Sequence, residues 1–434
     1  MSKSVGPWSQ WTVGDLVYGH FSGPSPDCEE RNISSSDEWG VLKTTAITWS
    51  GWNEYAHKVL PKAYWGQEHL AVRQSDVLVT KAGPRHRVAV TCHVDTQPER
   101  LIVSGKMIGL RPREDRVVPQ ILAGMIAQPR AQKYIHDRTT GMAESQVNFA
   151  NGALLSTPIE LPPLDEQSKI AEILDTLDAA IRGTEAVVAK LKAMKQGLLH
   201  DLLTRGINAN GDLRPPQPEA PHLYKQTPLG WLPKEWEALP LGDHTQHDIT
   251  YGIVQAGPHI EGGIPYVRTG DMSGDELVRD TMLCTSERIA RSYRRSEVRA
   301  GELVIAIRAT LGKVLPVPDN LDGANLTQGT ARIAPKASVN ATCLMWAIRH
   351  RRGQDAIMKE VKGSTFMEIS LGALRVVPIG MPKSRDEQDE IARRLSAQDE
   401  AILREQKLLD KLRLQKSGLM DDLLTGRTPV TALL

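Results

Sequence analysis

The chain has few of the residues and runs that most enzyme and membrane classes require. Its four cysteines, Cys28, Cys92, Cys284 and Cys343, are scattered without C-x-x-C spacing, which leaves reduced buried or surface thiols as the default. No stretch approaches the roughly 18 uninterrupted apolar residues that span a bilayer. The opening MSKSVGPWSQWTV lacks the apolar core of a signal peptide. A cytoplasmic protein with no membrane partner is the expectation. The formal net charge of +1 excludes the global basic bias of a non-specific nucleic-acid binder. Arginines do cluster locally, at 291, 294, 295 and 299 and again at 349, 351 and 352, so charge permits DNA binding without arguing for it.

Catalytic motifs are missing as well. Leu311-Gly312-Lys313-Val314 resembles the end of a phosphate loop, but Ile307 stands where glycine is needed and Val314 replaces Ser/Thr. No G-x-G-x-x-G, H-E-x-x-H or G-x-S-x-G is found. Cys92-His93-x-Asp95 is set aside because adjacency in sequence is not the geometry a nucleophile and its base need. No catalytic residue, metal ligand or cofactor site is assigned.

What the chain does have is a repeat. Residues 165–204 and 386–425 align without a gap at an offset of 386 − 165 = 221. In the first copy Ile170, Leu174, Leu177, Ile181, Thr184, Val188, Leu191, Lys195, Leu198 and Leu202 step by alternating fours and threes. The second repeats the seam at Ile391, Leu395, Gln398, Ile402, Glu405, Leu409, Leu412, Lys416, Leu419 and Leu423. Such a phase predicts two long helices of roughly 50 Å, paired as an intramolecular antiparallel coiled coil. Asp165-Glu166-Gln167 and Asp386-Glu387-Gln388 follow prolines, where acids suit a helix start. The polar seam positions have two readings, register specification with snorkelling stems or contact with another subunit. Gly197 and Gly418 share one repeat position and suggest close backbone approach, since glycine inside a helix costs about 1 kcal/mol relative to alanine.

The repeat extends upstream. Residues 71–79 align with 297–305 at an offset of 226, and Arg87-Val88 with Lys313-Val314. Val41-Leu42-Lys43-Thr44 matches Tyr266-Val267-Arg268-Thr269, Gly152-Ala153-Leu154 matches Gly372-Ala373-Leu374, and Trp8 and Gly14-Asp15 match Trp236 and Gly242-Asp243. Strands are expected at 77–80 and 303–307 and a helix at 341–351, within mixed α/β (α+β) domains. The expected organisation is a pseudo-two-fold internal repeat with a first domain at 1–162, a helical spacer at 163–204, a proline-rich extended linker at 205–233, a second domain at 234–383, a second spacer at 384–427 and a tail at 428–434.

This plan resembles the DNA specificity subunits of type I restriction-modification systems. The resemblance rests on residues 227–236 (TPLGWLPKEW), Gly263-Ile264-Pro265-Tyr266-Val267-Arg268, Gly363-Ser364-Thr365-Phe366, Pro382 and the Asp386-Glu387-Gln388 helix start. The first half departs from it, with Gly40-Val41-Leu42-Lys43 for the Ile-Pro-Tyr-Val segment and Gly141-Met142-Ala143-Glu144-Ser145 only loosely like Gly363-Ser364-Thr365. The resemblance implies two unlike target recognition domains reading a bipartite, asymmetric site in double-stranded DNA. It also implies a non-catalytic chain, whose partners are two S-adenosylmethionine-dependent adenine methyltransferase (modification) subunits and the ATP- and Mg-dependent restriction endonuclease subunits.

Candidate DNA contacts, chosen at repeat-equivalent or motif positions with side chains suited to bases or phosphates, are Lys43, Thr44, Thr45, Arg85 and Arg87 in the first domain. In the second they are Tyr251, Arg268, Thr269, Arg308, Lys313, Ser364 and Thr365. Candidates for spacer packing and partner docking are Asp165, Glu166, Gln167, Ile170, Leu174, Leu191 and Gly197, with Asp386, Glu387, Gln388, Ile391, Leu395, Leu412 and Gly418. Two rival functions are a coiled-coil scaffold joining protein-binding domains and a self-contained nuclease or methyltransferase.

Overall fold

Val77–Thr80 and Leu303–Ala306 are short apolar runs with every side chain buried, the pattern of strands covered on both faces. Each is an inner strand of a four-stranded antiparallel sheet. The first sheet orders as Val17–Phe21, Met107–Pro112, Val77–Thr80 and Thr91–His93. The second orders as Thr250–Tyr251, Thr330–Ile333, Leu303–Ala306 and Val314–Pro316. The turns entering the two inner strands match: Ser75 has φ +73° and Gly301 φ +80°, a left-handed position that glycine adopts without strain.

The computed structural model describes residues 8–141, 144–361 and 367–434. They form two units, Met1–Glu185 with Lys407–Leu434, and Ala186–Gln406. Both repeat one topology. In each a three-stranded sheet is centred on the strand that the alignment equates, Gly40–Leu42 or Ile264–Val267, with one parallel neighbour (Leu101–Ile102 or Asn325–Leu326) and one antiparallel (His57–Val59 or Cys284–Thr285). In each a terminal antiparallel pair, Ser9–Thr12 with Pro158–Leu161 or Trp236–Pro240 with Pro378–Pro382, leads into a long helix. The fold is mixed α/β. The helix expected over 341–351 is two, Ala341–Arg349 and Arg351–Lys359, because His350 is extended at ψ 149°.

The long helices are Leu164–Thr204 and Arg385–Leu424, each continuous and each shared between the units. In the first unit Leu164–Glu185 runs antiparallel to 407–424, with Ile170 and Leu174 in one core with Leu423 and Leu424, and an Asp178–Lys416 ion pair at 2.5 Å. In the second unit 186–204 runs antiparallel to 385–406, with Leu199 and Leu202 in one core with Ile391 and Leu395, and a Lys195–Asp399 ion pair. Lys195 is the repeat equivalent of Lys416 and Asp399 of Asp178, so each unit makes the same bond with the helices' roles exchanged. Gln398 donates to the Leu191 carbonyl at 3.0 Å. Of the polar seam positions, Lys195, Lys416 and Gln398 thus find partners inside the chain, as register specification requires.

Several expectations are corrected here. Gln167 and Gln388 are buried clips that tie each helix start to its own unit. Gln167 accepts from Val118 N (3.0 Å) and donates to the Pro162 and Arg116 carbonyls, while Gln388 accepts from Asn340 N (2.7 Å) and donates to the Pro382 carbonyl. Glu387 accepts from Ile207 N (2.8 Å), Arg214 Nη1 (2.6 Å) and Trp236 Nε1 (3.0 Å), and Glu166 is likewise buried. Asp165 and Asp386 remain exposed. Ile170, Leu174, Ile391 and Leu395 lie in the unit cores, and Leu191 and Leu412 are half-buried. Close backbone approach fails for Gly197 and Gly418, since a Cβ at either would meet nothing within 4 Å. Nor is 205–233 an extended linker. Ile207, Arg214, Tyr224 and Leu232 are buried, and Tyr224–Thr227 pairs with Gly230–Pro233. Gly206, at φ +65°, lets the chain pass so close to Glu387 that a Cβ would lie 2.4 Å from its Oε1. The tail is also packed, through Val430.

Candidate nucleic-acid interface

The central strand of each three-stranded sheet ends in a one-turn 3-10 helix, Thr44–Ala46 or Thr269–Met272, preceded by a cation, Lys43 or Arg268. Neither cation is free. Lys43 Nζ lies 3.5 Å from Glu30, and Arg268 donates from Nε (3.0 Å) and Nη2 (2.7 Å) to Asp271, whose hydrogen bond raises the guanidinium pKa.

From the connection that follows the inner strand of the neighbouring four-stranded sheet a second equivalent cation reaches the same segment. Arg87 Nη2 donates to the Thr44 and Ile47 carbonyls at 2.7 and 2.8 Å, and Lys313 Nζ to the Ser273 carbonyl at 3.1 Å. Both were expected to touch DNA. The structure engages them in holding a loop, because backbone carbonyls without a ladder partner need donors.

The other candidates divide. Arg85 bonds Glu144 through Nε at 2.9 Å and Arg308 bonds Glu368 at 2.8 Å, both at the surface. Thr44 and Thr269 are half-buried, Thr45 is exposed, and Tyr251 is 44% exposed on its sheet edge. Ser364 and Thr365, with Gly363 and Phe366 of their motif and Met142-Ala143 of the first-half counterpart, lie outside the described residues. Of the first-unit candidates, the structure brings Arg87 and Thr44 into contact.

Two features escaped the sequence reading. The first is a duplicated acid–arginine pair. Asp76 accepts from Arg73 N (2.8 Å) with Arg111 3.7 Å away, while Glu302 accepts from Arg299 N (2.9 Å) and from Arg332 Nε and Nη2 (2.7 and 2.5 Å). Burial pushes Asp76 up to about 6. These pairs floor equivalent cavities, of about 440 Å³ beside Tyr18 and about 470 Å³ beside His247 and Arg294. The aligned block 71–79 and 297–305 held the signal. The second is exposed aromatic surface in the first unit, Tyr18 at 63%, Trp49 at 53% and Tyr55 at 74%, which no periodicity marks.

The catalytic reading of Cys92 gains nothing, since burial holds its thiol up to about 12 and pulls His93 down. Among the described residues no His, Cys, Asp and Glu group is arranged to hold a metal, and no helix is long and apolar enough to cross a membrane.

Comparison with known proteins fixes the class that this twofold arrangement defines. The family described as type I restriction modification DNA specificity domain matches residues 56–193 and 233–414, more than half of the chain. The chain belongs to this family, which is a specificity family and not a catalytic one. It is 31% identical over 199 residues to the specificity subunit of the type I restriction enzyme EcoEI from Escherichia coli, a match covering 45% of this chain and 33% of that protein. It is 25% identical over 361 residues to the putative type I restriction enzyme MjaX specificity subunit from Methanocaldococcus jannaschii, covering 82% and 79%. The fold is that of the type I restriction-modification S subunit from M. genitalium, with TM-score 0.58 at 13% identity over 98% of this chain and 97% of that one. A chain from a structure describing complex assembly and conformational transition of the type I R-M system gives TM-score 0.54 at 17% identity, covering 97% and 98%.

Proposed function

We propose that the chain is a DNA-binding specificity subunit that reads a bipartite, asymmetric target in duplex DNA. It directs adenine methylation by two modification subunits and cleavage by restriction subunits, in the cytoplasm. The observation that carries this reading is the duplicated unit: one topology and one loop-holding cation, Arg87 or Lys313, repeated with divergent exposed residues. Two similar mounts bearing unlike surfaces suit two half-sites of different sequence. S-adenosylmethionine, ATP and Mg belong to the partners in this reading, and the two shared helices provide the spacer between readers.

Sequencing of modified bases in cells that co-express the chain with its modification subunits tests the proposal. Methyladenine in a split motif with an unread gap is expected; no methylated motif, or a continuous one, would sink it. A purified assembly with no salt-dependent affinity for duplex DNA would favour the scaffold instead. Inserting four residues near Gly197 lengthens a helix by about 6 Å, equivalent to roughly two base pairs. An unchanged gap would refute the spacer role.

A further inference from the structure

The segment that Arg87 and Lys313 hold has one frame and two opposite tips. In the first unit Ala46 and Ile47 are fully buried anchors, and Ile47–Thr48 pairs with Gly51–Trp52 in a short hairpin. The hairpin is braced by Thr48 Oγ1 donating to the Gly51 carbonyl (2.8 Å), Asn53 N to the Ala46 carbonyl (3.0 Å) and Trp52 Nε1 to Thr96 Oγ1 (3.1 Å). Its tip presents Trp49, 53% exposed, beside a cavity of about 540 Å³ bordered by Arg85 and His86. An indole held out on a stiff support is available for an external contact at little ordering cost.

The equivalent segment of the second unit is anchored by buried Met272 and Leu277, and between them Ser273, Gly274, Asp275 and Glu276 are exposed. It offers carboxylates where the first offers an aromatic ring, the exposed Asp275 lying 3.7 Å from the Lys313 Nζ that also holds the loop. Carboxylates facing DNA are repelled by phosphates, and the base-edge group they do accept from is the cytosine amino group, whereas an apolar tip suits a thymine methyl or an unstacked step.

We infer that these equivalent loops are the specificity-determining tips: Trp49 reads bases of one half-site by apolar contact, and Asp275 and Glu276 read the other by accepting from base amino groups. The inference rests on the split-target reading. It explains why Arg87 and Lys313 are kept in both halves while the residues they support are not: a reader of two different half-sites must keep the mount and vary the tip.

The test compares methylated motifs of wild type, Trp49→Leu and the double variant Asp275→Asn/Glu276→Gln, each co-expressed with the modification subunits. Trp49→Leu is expected to relax one or two positions of one half-site by roughly tenfold in discrimination, leaving the other half-site unchanged; the double variant is expected to do the reverse. Loss confined to one half-site cannot come from general misfolding, which would erase both. A wild-type split motif that both variants read unchanged, or that either relaxes equally in both halves, overturns the loop assignment alone. A wild type with no split motif overturns the proposed function and the loop assignment with it.

Discussion

Glu166 and Glu387 occupy the same position of the repeat and live in different surroundings. Glu387 gathers Ile207 N, both ends of the Arg214 guanidinium and the Trp236 indole, whereas the carboxylate of Glu166 receives no hydrogen bond from the described residues, and burial raises its pKa. In the first unit Trp8, the counterpart of Trp236, faces Gly426 just beyond the second long helix, as Trp236 faces Gly206 just beyond the first. The lesson is that the two units share a backbone plan and differ in how tightly their polar contacts close. The acid–arginine pairs say the same: Glu302 is gripped by two short bonds from Arg332, while Arg111 stands 3.7 Å from Asp76 with its buried Nε unpaired.

That contrast can be broken experimentally. Glu387→Ala leaves a buried arginine and an indole without their acceptor, and should cost the second unit about 3–5 kcal/mol. Glu166→Ala should stay within about 1 kcal/mol of wild type. Urea unfolding followed by probes in each unit checks both, and equal losses would erase the contrast. Glu302→Ala should cost about 3 kcal/mol and Asp76→Ala about 1 kcal/mol, read in the same way.

The helix pairs should behave alike in the two units. Lys195→Asp and Lys416→Asp should each cost at least about 1 kcal/mol, because each sets a carboxylate against a half-buried carboxylate. Adding Asp399→Lys to the first should recover most of its loss, and no recovery would mean that the pair does not set register. Any excess at Lys195 would report its second contact, 4.1 Å over the Trp346 ring.

The smallest effect is a difference in pH response. Asp76 titrates near 6 when folded against an ordinary 3.8, so the folded first unit favours its protonated form. That contribution is fully present below pH 3.8 and is lost as pH rises through 6. His350 in the second unit is held at about 4 against 6.5, mainly by burial; its contribution is present above pH 6.5 and lost as pH falls toward 4. Asp76→Asn should flatten the first slope and His350→Asn the second, measured by thermal unfolding between pH 4 and 7. Slopes of the same sign would refute the assignment.

Much of the architecture was legible because it depends on periodicity. The repeated block at 165–204 and 386–425 located both long helices to within a residue, and the 71–79 and 297–305 alignment located the inner strands. Residue roles were less legible. Gln167 and Gln388 look like surface helix-start residues in sequence, yet the proline-containing strands before them carry the helix into the globular core, where only their amide groups bridge the join. Arg87 and Lys313 stood out as shared cations, but sequence does not say that carbonyls of a distant loop await them. The packing of 205–233 was hidden because its anchors, Ile207, Arg214 and Leu232, are isolated among prolines and polar residues, without a period to read.

The two reciprocal ion pairs carry a consequence for how such a chain can change length. Asp178 and Lys195 stand 195 − 178 = 17 residues apart on one helix, and Asp399 and Lys416 stand 416 − 399 = 17 apart on the other. Residues added between the charges of one helix alone put the two bonds out of step, so one must break or the helix must bulge. Equal additions to both keep them. Keeping both bonds therefore asks for matched edits some two hundred residues apart, whereas an insertion outside the two charges, such as one at Gly197, leaves their spacing untouched.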